Sequence, residues 1–372
     1  MKKILWGLSI MPICGILPLT TISCKEPKNI KVINFAINKP WYGENNDFFF
    51  QTIANEYNKI KDQDLTKIEI KPDFVEANAS ILDSLKKGSS DVAILTSALY
   101  ENSSVSDKSK YKPFIQTTTT SFVFDQEYST YVNGSNEDPL IKIAKEAEKT
   151  FNLKPFLEWN DEEYQWNGSL YKKFYNESNL VSYYRGAIWI WGTKSELIAI
   201  KNAWDNKDWN AFRNFGILLS DETSGSKYQI QEKLFQKHFN KPDQLFQSFA
   251  FDKLKHNDKY KIGKAKDMGK GANVHFHIVF DELGSFAYTH NYKLKNNQKE
   301  MRDYYRPSAE NTFVEMLTVT DPIEYNKFVA SNKLSTKEIE FLQKAILKVW
   351  KDGKDSYGPT VGFNGYKIIK VE

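Results

Sequence analysis

Hydrophobic and polar positions alternate between strand-like and helix-like patterns along the chain from Ile30. The segments "IKVINFAI", "KIEIKPDFV" and "DVAILTS" have the β-rich or apolar composition of strands. Between them, "ASILDSLKKG" predicts a short helix ended by Gly88. A longer helix begins at Asp47, and its apolar face consists of Phe50, Ile53, Ala54, Tyr57 and Ile60. This order of strands and helices predicts a parallel sheet with covering helices.

The middle of the chain repeats these patterns. "DPLIKIAKEAEKTF" and "KSELIAIKNAW" predict helices, "YRGAIWIWG" predicts a buried strand ended by Gly192, and "VHFHIVF" predicts a further strand. Near the end, Ser335 and Glu338 form a capping box, and the helix that it opens ends at Gly353. A chain of 372 residues with these elements is long enough for two α/β domains.

The first residues have the pattern of an export signal. Two lysines precede an apolar run that proline and glycine interrupt, so this run is a poor membrane span. The run ends in "TISC", which is similar to the lipobox of bacterial lipoproteins, although Thr21 stands where leucine is commoner. We therefore predict a signal peptide over residues 1–23 and a lipid on Cys24, which would hold the protein at the extracytoplasmic face of the cell membrane. The alternative is plain signal cleavage, with Cys24 incidental.

Composition narrows the possible functions. The sequence has 51 basic and 47 acidic residues mixed along its length, so no nucleic-acid partner is predicted. Cys14 is the only other cysteine and would leave with the signal peptide, which excludes a disulfide framework. Nine Trp, 20 Tyr and 25 Phe predict an aromatic core, with some rings available to line a pocket. Two α/β units on an exported chain favour a two-lobed binding protein with a cleft between its lobes.

Six aromatic-rich stretches carry a resemblance to a known family. They are "TTTTSFVFD" (117–125), "DPLIKIAKE" (138–146), "YYRGAIWIWG" (183–192), "AWDNKDWNAFRNFGIL" (203–218), "GSFAYTHN" (284–291) and "YGPTVGFNGYKII" (357–369). In this order they resemble the mycoplasma-type extracytoplasmic thiamine-binding lipoproteins, also called high-affinity transport system lipoproteins. That family looks like a divergent relative of the phosphonate-type solute-binding proteins of ABC importers.

The resemblance implies an α/β fold of the two-lobed periplasmic-binding-protein class, type II, with the ligand cleft between the lobes. It places residues 24–117 and 286–372 in the first lobe and residues 118–285 in the second. It implies a monomeric receptor, not an enzyme, which captures thiamine or thiamine diphosphate by cleft closure for the permease and ATPase subunits of an ABC importer. Neither a cofactor nor a metal is expected beside that ligand.

The stretch "SDETSGSKYQIQEKLF" opens a helix and is the first candidate for an anion site. Ser226, with Gln229 three residues later, predicts a capping box. Thr223, Ser224 and Ser226 are candidates to bind an anion at the positive end of the helix, as the resemblance implies for a Ser/Thr-rich turn. Gly225 departs from the resemblance, because a bulkier aromatic residue stands there in a family member. The shape of the phosphate pocket is therefore left open.

Other candidates follow strands, where α/β clefts bind their ligands. Trp41 and Tyr42 come after the first predicted strand and offer ring faces to a flat or cationic ring, although core or hinge packing is the alternative. Thr96 and Ser97 come after the third predicted strand and are candidate hydrogen-bond donors.

The apolar strand of the middle region contains one arginine. Alternation places Arg185, Trp189 and Trp191 on one face and Tyr184 on the other. If buried, Arg185 needs a partner, which is either a diphosphate of the ligand or a neighbouring carboxylate.

Asp281, Glu282 and Ser285 follow the last strand of the middle region, where a carboxylate is expected to pair with the cationic half of the ligand or with its aminopyrimidine. The residues expected to face the ligand are thus Trp41, Tyr42, Thr96, Ser97, Thr119, Ser121, Tyr184, Arg185, Trp189, Thr223, Ser224, Ser226, Asp281, Glu282 and Ser285.

Two other functions stay open. One keeps the fold and exchanges the ligand for a phosphonate or another small phosphorylated anion. The other is an exported phosphohydrolase with His277, Asp281 and Glu282 around a metal. No catalytic residue is predicted, because the sequence lacks a G-x-S-x-G motif and because "GKAKDMGKG" does not have the spacing of a phosphate-binding Walker motif.

Overall fold

The computed structural model describes residues 30–243 and 245–371. The predicted signal peptide and the predicted lipid on Cys24 lie outside these residues. No helix in the described part of the chain is both long enough and apolar enough to cross a membrane.

The strands of the described residues are numbered in chain order. They are β1 Ile30–Asn38, β2 Lys67–Val75, β3 Val92–Leu95, β4 Tyr111–Phe122, β5 Tyr175–Val181, β6 Tyr183–Tyr184, β7 Gly186–Gly192, β8 Ile217–Leu219, β9 Tyr260–Ile262, β10 Ile278–Glu282, β11 Tyr292–Lys295, β12 Gln298–Met301, β13 Phe313–Val319, β14 Ile323–Glu324, β15 Lys327–Ser331 and β16 Gly365–Ile368.

The α-helices are α1 Phe48–Ile60, α2 Asn78–Lys86, α3 Ser97–Glu101, α4 Val105–Lys108, α5 Pro139–Phe151, α6 Lys194–Asp205, α7 Trp209–Arg213, α8 Ile230–His238, α9 Phe249–His256 and α10 Thr336–Lys351. A π-helical turn, Gly225–Gln229, leads into α8. Short 3-10 turns occur at Phe156–Glu158, Lys172–Phe174, Asn257–Lys259, Ala265–Asp267, Gly271–Asn273 and Gly358–Val361.

The first sheet has the strand order β16-β4-β15-β3-β1-β2, and β5 pairs with β4 beside this path. β1 runs parallel to β2 and β3, as the alternation of strands and helices predicts. The predicted face of α1 is buried on this sheet through Phe50, Ile53, Ala54 and Tyr57. The capping box of Ser335 and Glu338 is confirmed at the start of α10, which packs on the same core.

The second sheet has the strand order β13-β7-β10-β8-β9. Trp189 and Trp191 of β7 face one core, and Ile188 and Ile190 face another on the opposite side. The predicted strand "VHFHIVF" is wrong in its first four residues, because pairing of β10 with both neighbours begins at Ile278.

The sheets divide the chain differently from the predicted lobe boundary at 285/286. β13 pairs with β7 of the second sheet, although the prediction assigned it to the first lobe. Phe286, Ala287 and Tyr305 belong to the same core as Trp189. The segment between β10 and β13 thus packs on the second core through its apolar side chains. The chain returns to the first sheet only at Lys327, where β15 begins.

Candidate ligand-binding cleft

A cavity of about 740 Å³ lies between elements of the two sheets. This volume is within the range of sites for drug-sized ligands and cofactors. β4 and the loops after β1 and before β16 supply one side, and the end of β10 with the segment that follows it supplies the other. The lining residues that matter below are Trp41, Tyr42, Thr119, Ser121, Tyr175, Tyr184, Arg185, Lys227, Glu282, Tyr288, Arg302 and Tyr325.

Tyrosine rings form much of the wall. The rings of Tyr184 and Tyr325 meet edge to face with centroids 5.3 Å apart, and Tyr175 packs on Phe122 at 4.6 Å. Burial raises the pKa of Tyr325 to about 12. Burial together with the nearby Glu282 carboxylate also raises the pKa of Tyr184. Both phenols therefore stay protonated at neutral pH, so the wall combines ring faces with hydroxyl donors.

Besides Asp125, which pairs with Arg185, Glu282 is the carboxylate that lines the cavity. Its Oε1 accepts a hydrogen bond from the Ser226 hydroxyl at 3.1 Å, and its Oε2 accepts one from the Tyr288 hydroxyl at 2.5 Å. Within the described residues, it has no ion pair. The two hydroxyl groups hold the carboxylate in place without neutralising its charge, so it is available to a cationic or N–H-bearing ligand.

Two cations besides Arg185 line the same cavity. Lys227 lies on the π-helical turn, and Arg302 follows the hairpin of β11 and β12. Neither side chain has an ion pair among residues 30–243 and 245–371, although Arg302 Nε donates to the Tyr292 carbonyl at 3.4 Å. Burial raises the pKa of Asp281, and the charge of Lys227 opposes that rise. The cavity thus offers positive charge to an anionic ligand group.

Arg185 borders the cavity but already has its partners. Its Nε donates to Asp125 Oδ2 at 2.8 Å, and the side-chain exposures of the two residues are 0% and 4%. Its Nη1 donates to the carbonyls of Ser129 and Thr320, and its Nη2 donates to that of Glu127. Of the two partners that the sequence left open, the structure shows the neighbouring carboxylate. The guanidinium is therefore a structural anchor and not a free diphosphate clamp.

The family of the chain follows from comparison with known proteins. The family model described as "extracytoplasmic thiamine-binding lipoprotein" matches residues 46–372. The chain belongs to this family. The high affinity transport system protein p37 of Mesomycoplasma hyorhinis is 33% identical over 373 residues, which cover 95% of this chain and 89% of that protein. The p37 protein of Mycoplasma pneumoniae is 29% identical over 380 residues, which cover 99% and 95%.

A solved structure supports the fold. Mh-p37 of Mycoplasma hyorhinis, described as a proposed thiamine pyrophosphate transporter, superposes with a TM-score of 0.80 at 33% identity and covers 91% of this chain and 94% of its own. The predicted two-lobed α/β fold is thereby confirmed. A phosphonate-transporter binding protein from Pseudomonas aeruginosa reaches a TM-score of 0.43 at 11% identity, which is too low to support an argument about ligands.

In this member of the family, the predicted capping box at the helix start is wrong. The Ser224 side chain, not that of Ser226, caps the turn by accepting from the backbone N–H of Lys227 at 3.3 Å. Gln229 instead donates to the Glu222 carbonyl at 3.0 Å. Thr223 bonds to Asp221. Neither cavity is lined by Thr223, Ser224 or Ser226, because the π-helical turn rotates Lys227 and Gly225 toward the cavities in their place.

Several predicted residues lie behind the cavity wall. Trp189 is 3% exposed and packs on Tyr305 in the second core. Ser285 bonds to the Tyr305 hydroxyl. Asp281 accepts from the backbone N–H groups of Ala265 and Glu282. These positions support the wall, and the structure does not bring them to the space where a ligand fits.

The candidates on and beside the first sheet lie in two places. Thr119 and Ser121 line the cavity, and the Thr119 hydroxyl donates to Asn364 Oδ1 at 3.1 Å. Trp41 and Tyr42 form a rim, where the Trp41 N–H donates to Thr360 and the Tyr42 hydroxyl to the Pro359 carbonyl. This pairing of two distant loops explains why "KPWYGE" and "YGPTVGFNG" both lie at the cleft.

Thr96 and Ser97 lie away from the large cavity. Thr96 caps α3, and Ser97 donates to the Tyr325 carbonyl. Ser97 lines a second cavity of about 210 Å³, together with Gly225 and Gln229. A Cβ atom at Gly225 would lie 3.0 Å from the Tyr184 hydroxyl, which is closer than ordinary packing allows. Tyr184 therefore separates the two cavities, and Gly225 leaves room for its hydroxyl group.

Part of the cavity lining was not predicted from the sequence. Lys227 lies on the short π-helical turn, and Tyr288 and Arg302 lie in segments without regular structure, so no periodic pattern distinguishes these residues. Tyr288 lies within "GSFAYTHN", so the resemblance already contained it. Lys227 stands directly after Ser226 in the predicted anion turn. The turn predicted as an anion site thus contributes Lys227, and not its hydroxyl residues, to the lining of the large cavity.

The metal set of the hydrolase hypothesis is not assembled. His277 lies before β10, and its Nδ1 is 3.0 Å from the Trp191 carbonyl oxygen, in a stack with the Trp191 ring. Within the described ranges, no group of three or more His, Cys, Asp or Glu residues has the arrangement of a metal site. Asp281 and Glu282 act separately, one behind the wall and one in the cavity.

Proposed function

We propose that this chain is the lipid-anchored receptor of an ABC importer and captures thiamine or thiamine diphosphate in the cleft. The observation that carries the proposal is a tyrosine-walled cavity of about 740 Å³ with Glu282 and Lys227 free of ion pairs in the described chain. The lipid on Cys24 holds it at the extracytoplasmic face of the membrane. It acts as a monomer, catalyses no reaction, and delivers its ligand to the permease and ATPase subunits.

The wall chemistry fits both halves of thiamine. The thiazolium ring is a flat cation, and tyrosine faces such as those of Tyr184 and Tyr325 attract flat cations through their ring quadrupoles. The aminopyrimidine carries N–H donors, and Glu282 is a fixed acceptor on the same wall. Tyrosine side chains lose little conformational entropy when they bind, so the wall is pre-organised.

A diphosphate needs positive charge in the cavity. Lys227 and Arg302 supply it, since Arg185 is engaged by Asp125. Closure of the two lobes removes water from these groups and strengthens their attraction to an anion. A small phosphorylated anion without a thiamine group is the second candidate, and it rests on the same two cations.

Two substitutions separate the candidates. In isothermal titration calorimetry, Glu282→Gln should weaken binding of both thiamine and its diphosphate by about 10- to 100-fold, because it removes a charge-assisted hydrogen bond of ~1.5–3 kcal/mol. Lys227→Met should weaken only the diphosphate, by a similar factor. Lys233→Met, an exposed lysine on the smaller cavity, is the matched control and should bind as the parent does.

The outcomes distinguish the proposals clearly. Binding of methylphosphonate or inorganic phosphate, with no heat from either thiamine species, would replace thiamine by a small anion. Native mass spectrometry of the freshly purified protein should show a co-purified molecule with the mass of thiamine or of one of its phosphates. Release of phosphate from thiamine diphosphate by the purified chain would contradict a purely binding function.

A further inference from the structure

A short segment at the far edge of the second sheet carries much of the positive charge of the protein. Residues 251–270, here called the basic edge, contain seven lysines and three aspartates. Their net charge of +4 equals the formal net charge of the whole 372-residue chain. The segment comprises the end of α9, the edge strand β9 and the turns that follow it.

Most of these lysines are not neutralised by neighbours. Lys259 pairs with Asp258 and Lys270 with Asp303, both through contacts of 3.4 Å or more. The other five have no ion pair within the described residues: Lys253, Lys255, Lys261, Lys264 and Lys266. The aspartates serve the fold instead. Asp252 accepts from Arg213, and Asp267 accepts from the backbone N–H of Lys264. The field outside the basic edge is therefore positive.

Large apolar side chains stand among these charges. Leu254 is 80% exposed, Ile262 is 73% exposed and Phe251 is 50% exposed. Phe249 of α9 is buried, and helical geometry turns Phe251 and Leu254, two and five residues later, to the side away from the core. Exposed apolar residues of this size among lysines are typical of surfaces that lie on membranes.

Ile262 lies on the side of the sheet that α9 covers. Ile262 is two residues after Tyr260 on β9, so the two side chains point to the same face of the sheet. The Tyr260 ring lies 6.2 Å from the ring of Phe249 in α9. Lys253 joins the two elements, since its Nζ lies 5.4 Å from the centre of the Tyr228 ring and 5.6 Å from that of Tyr260. The helix and the edge strand thus present their apolar and basic side chains on neighbouring surfaces.

We propose that the basic edge binds the anionic headgroups of a phospholipid membrane and so sets the orientation of the anchored receptor. The lysines attract the headgroups, and Phe251, Leu254 and Ile262 enter the interface between headgroups and acyl chains. Neither cavity described above is lined by these residues, so the basic edge lies apart from the candidate ligand site. Membership of a lipoprotein family places such a membrane next to the protein.

Vesicle flotation tests this proposal with the chain from Lys25 onward, which keeps every described residue and lacks the anchor. The protein should float with vesicles of phosphatidylcholine and phosphatidylglycerol in equal parts, and not with phosphatidylcholine alone. The triple substitution K255Q, K264Q and K266Q should weaken this binding on the order of 100-fold, from ~1 kcal/mol per lysine. Raising the salt concentration should weaken binding of the parent in the same direction.

Matched variants keep the test specific. K293Q, K295Q and K299Q remove three exposed lysines from the β11–β12 hairpin and should leave flotation unchanged. L254S with I262S should weaken flotation while the positive charge is kept. Failure of the parent to float with anionic vesicles, or equal losses in the two lysine triples, would overturn the proposal. Thiamine titration is independent of it, because no substituted residue lines either cavity.

Discussion

Arg185 Nε lies 2.8 Å from Asp125 Oδ2 in a site where both side chains are almost fully buried. The backbone carbonyls of Ser129, Thr320 and Glu127 accept from three of the four other N–H groups of the guanidinium. Burial raises the pKa of Asp125, and the charge of Arg185 opposes that rise. The pair ties the loop after β4 to the entry of β7, beneath the wall of the cleft.

Asp125→Ala should therefore destabilise the protein strongly. It leaves the Arg185 charge buried without a counter-ion, at a cost of about 3–5 kcal/mol in the free energy of unfolding. Urea denaturation followed by tryptophan fluorescence measures this loss. Glu76→Ala removes a partner from the exposed pair Lys39–Glu76 and should leave the stability close to that of the parent, because water screens this pair. Equal stability of the two variants would show that Arg185 does not depend on Asp125.

His238 makes the stability of the second lobe depend on pH. Its ring stacks on Trp204 at 3.6 Å, and its nitrogens lie 2.8 Å from the Trp204 carbonyl oxygen and 2.9 Å from the Tyr131 hydroxyl. Burial lowers its pKa to about 4. In the unfolded chain a histidine has a pKa of about 6.5, so the unfolded state binds the proton first as pH falls.

The stability contribution of neutral His238 is thus complete above pH ~6.5 and is lost as pH falls toward about 4. The parent should lose about 3 kcal/mol of unfolding free energy across this window from this group. Urea denaturation at a series of pH values measures the slope. His238→Gln should flatten it, whereas His256→Gln, which alters a histidine outside the core, should retain it. A His238→Gln variant with the slope of the parent would contradict the assignment.

Gly225 and Tyr184 should be energetically coupled. Gly225→Ala places a Cβ atom 3.0 Å from the hydroxyl of Tyr184, so that this residue of the cavity wall must shift. We expect weaker ligand binding by roughly 1 kcal/mol, or about fivefold. Tyr184→Phe removes the hydroxyl and with it the obstacle. In the Tyr184→Phe background, Gly225→Ala should then have little effect, and additive losses in the double variant would contradict direct coupling.

A hydrogen bond connects the two lobes outside the main cavity. Asn102 Nδ2, which follows α3, donates to Gln229 Oε1 of the π-helical turn at 2.8 Å. If this bond forms only when the lobes are close, Asn102→Ala should weaken ligand binding by about two- to tenfold, from ~0.5–1.5 kcal/mol. The stability of the Asn102→Ala variant in urea denaturation should stay near that of the parent.

Small-angle scattering provides the second measurement for Asn102→Ala. Without ligand, its radius of gyration should exceed that of the parent, and saturating ligand should remove the difference. The matched control is Asn176→Ala, which removes a similar exposed bond to Gln126 beside β4 and β5. An equal increase in the radius of gyration of Asn176→Ala would show that the effect does not come from the bond between the lobes.

Sequence periodicity was sufficient for most of the elements that build the two sheets. The alternation of the first three strands and the apolar face of α1 depend only on neighbours in sequence, because burial on one face imposes a fixed spacing. The lobe boundary, in contrast, could not be predicted from local periodicity. Whether Phe286 and Tyr305 pack on one core or the other depends on contacts far along the chain, which no local pattern records.

The sequence alone determined the compartment expected for the protein, its family resemblance and the regions that form the cleft. Only the tertiary structure decided the roles of individual residues. Arg185 forms a buried ion pair with Asp125, which lies sixty residues earlier in the chain. The π-helical turn places Lys227, and not Ser224, in the cavity lining. The physical reason is that burial and pairing of a charge are settled by side chains that meet in space, whereas periodicity reports only which face of an element is apolar.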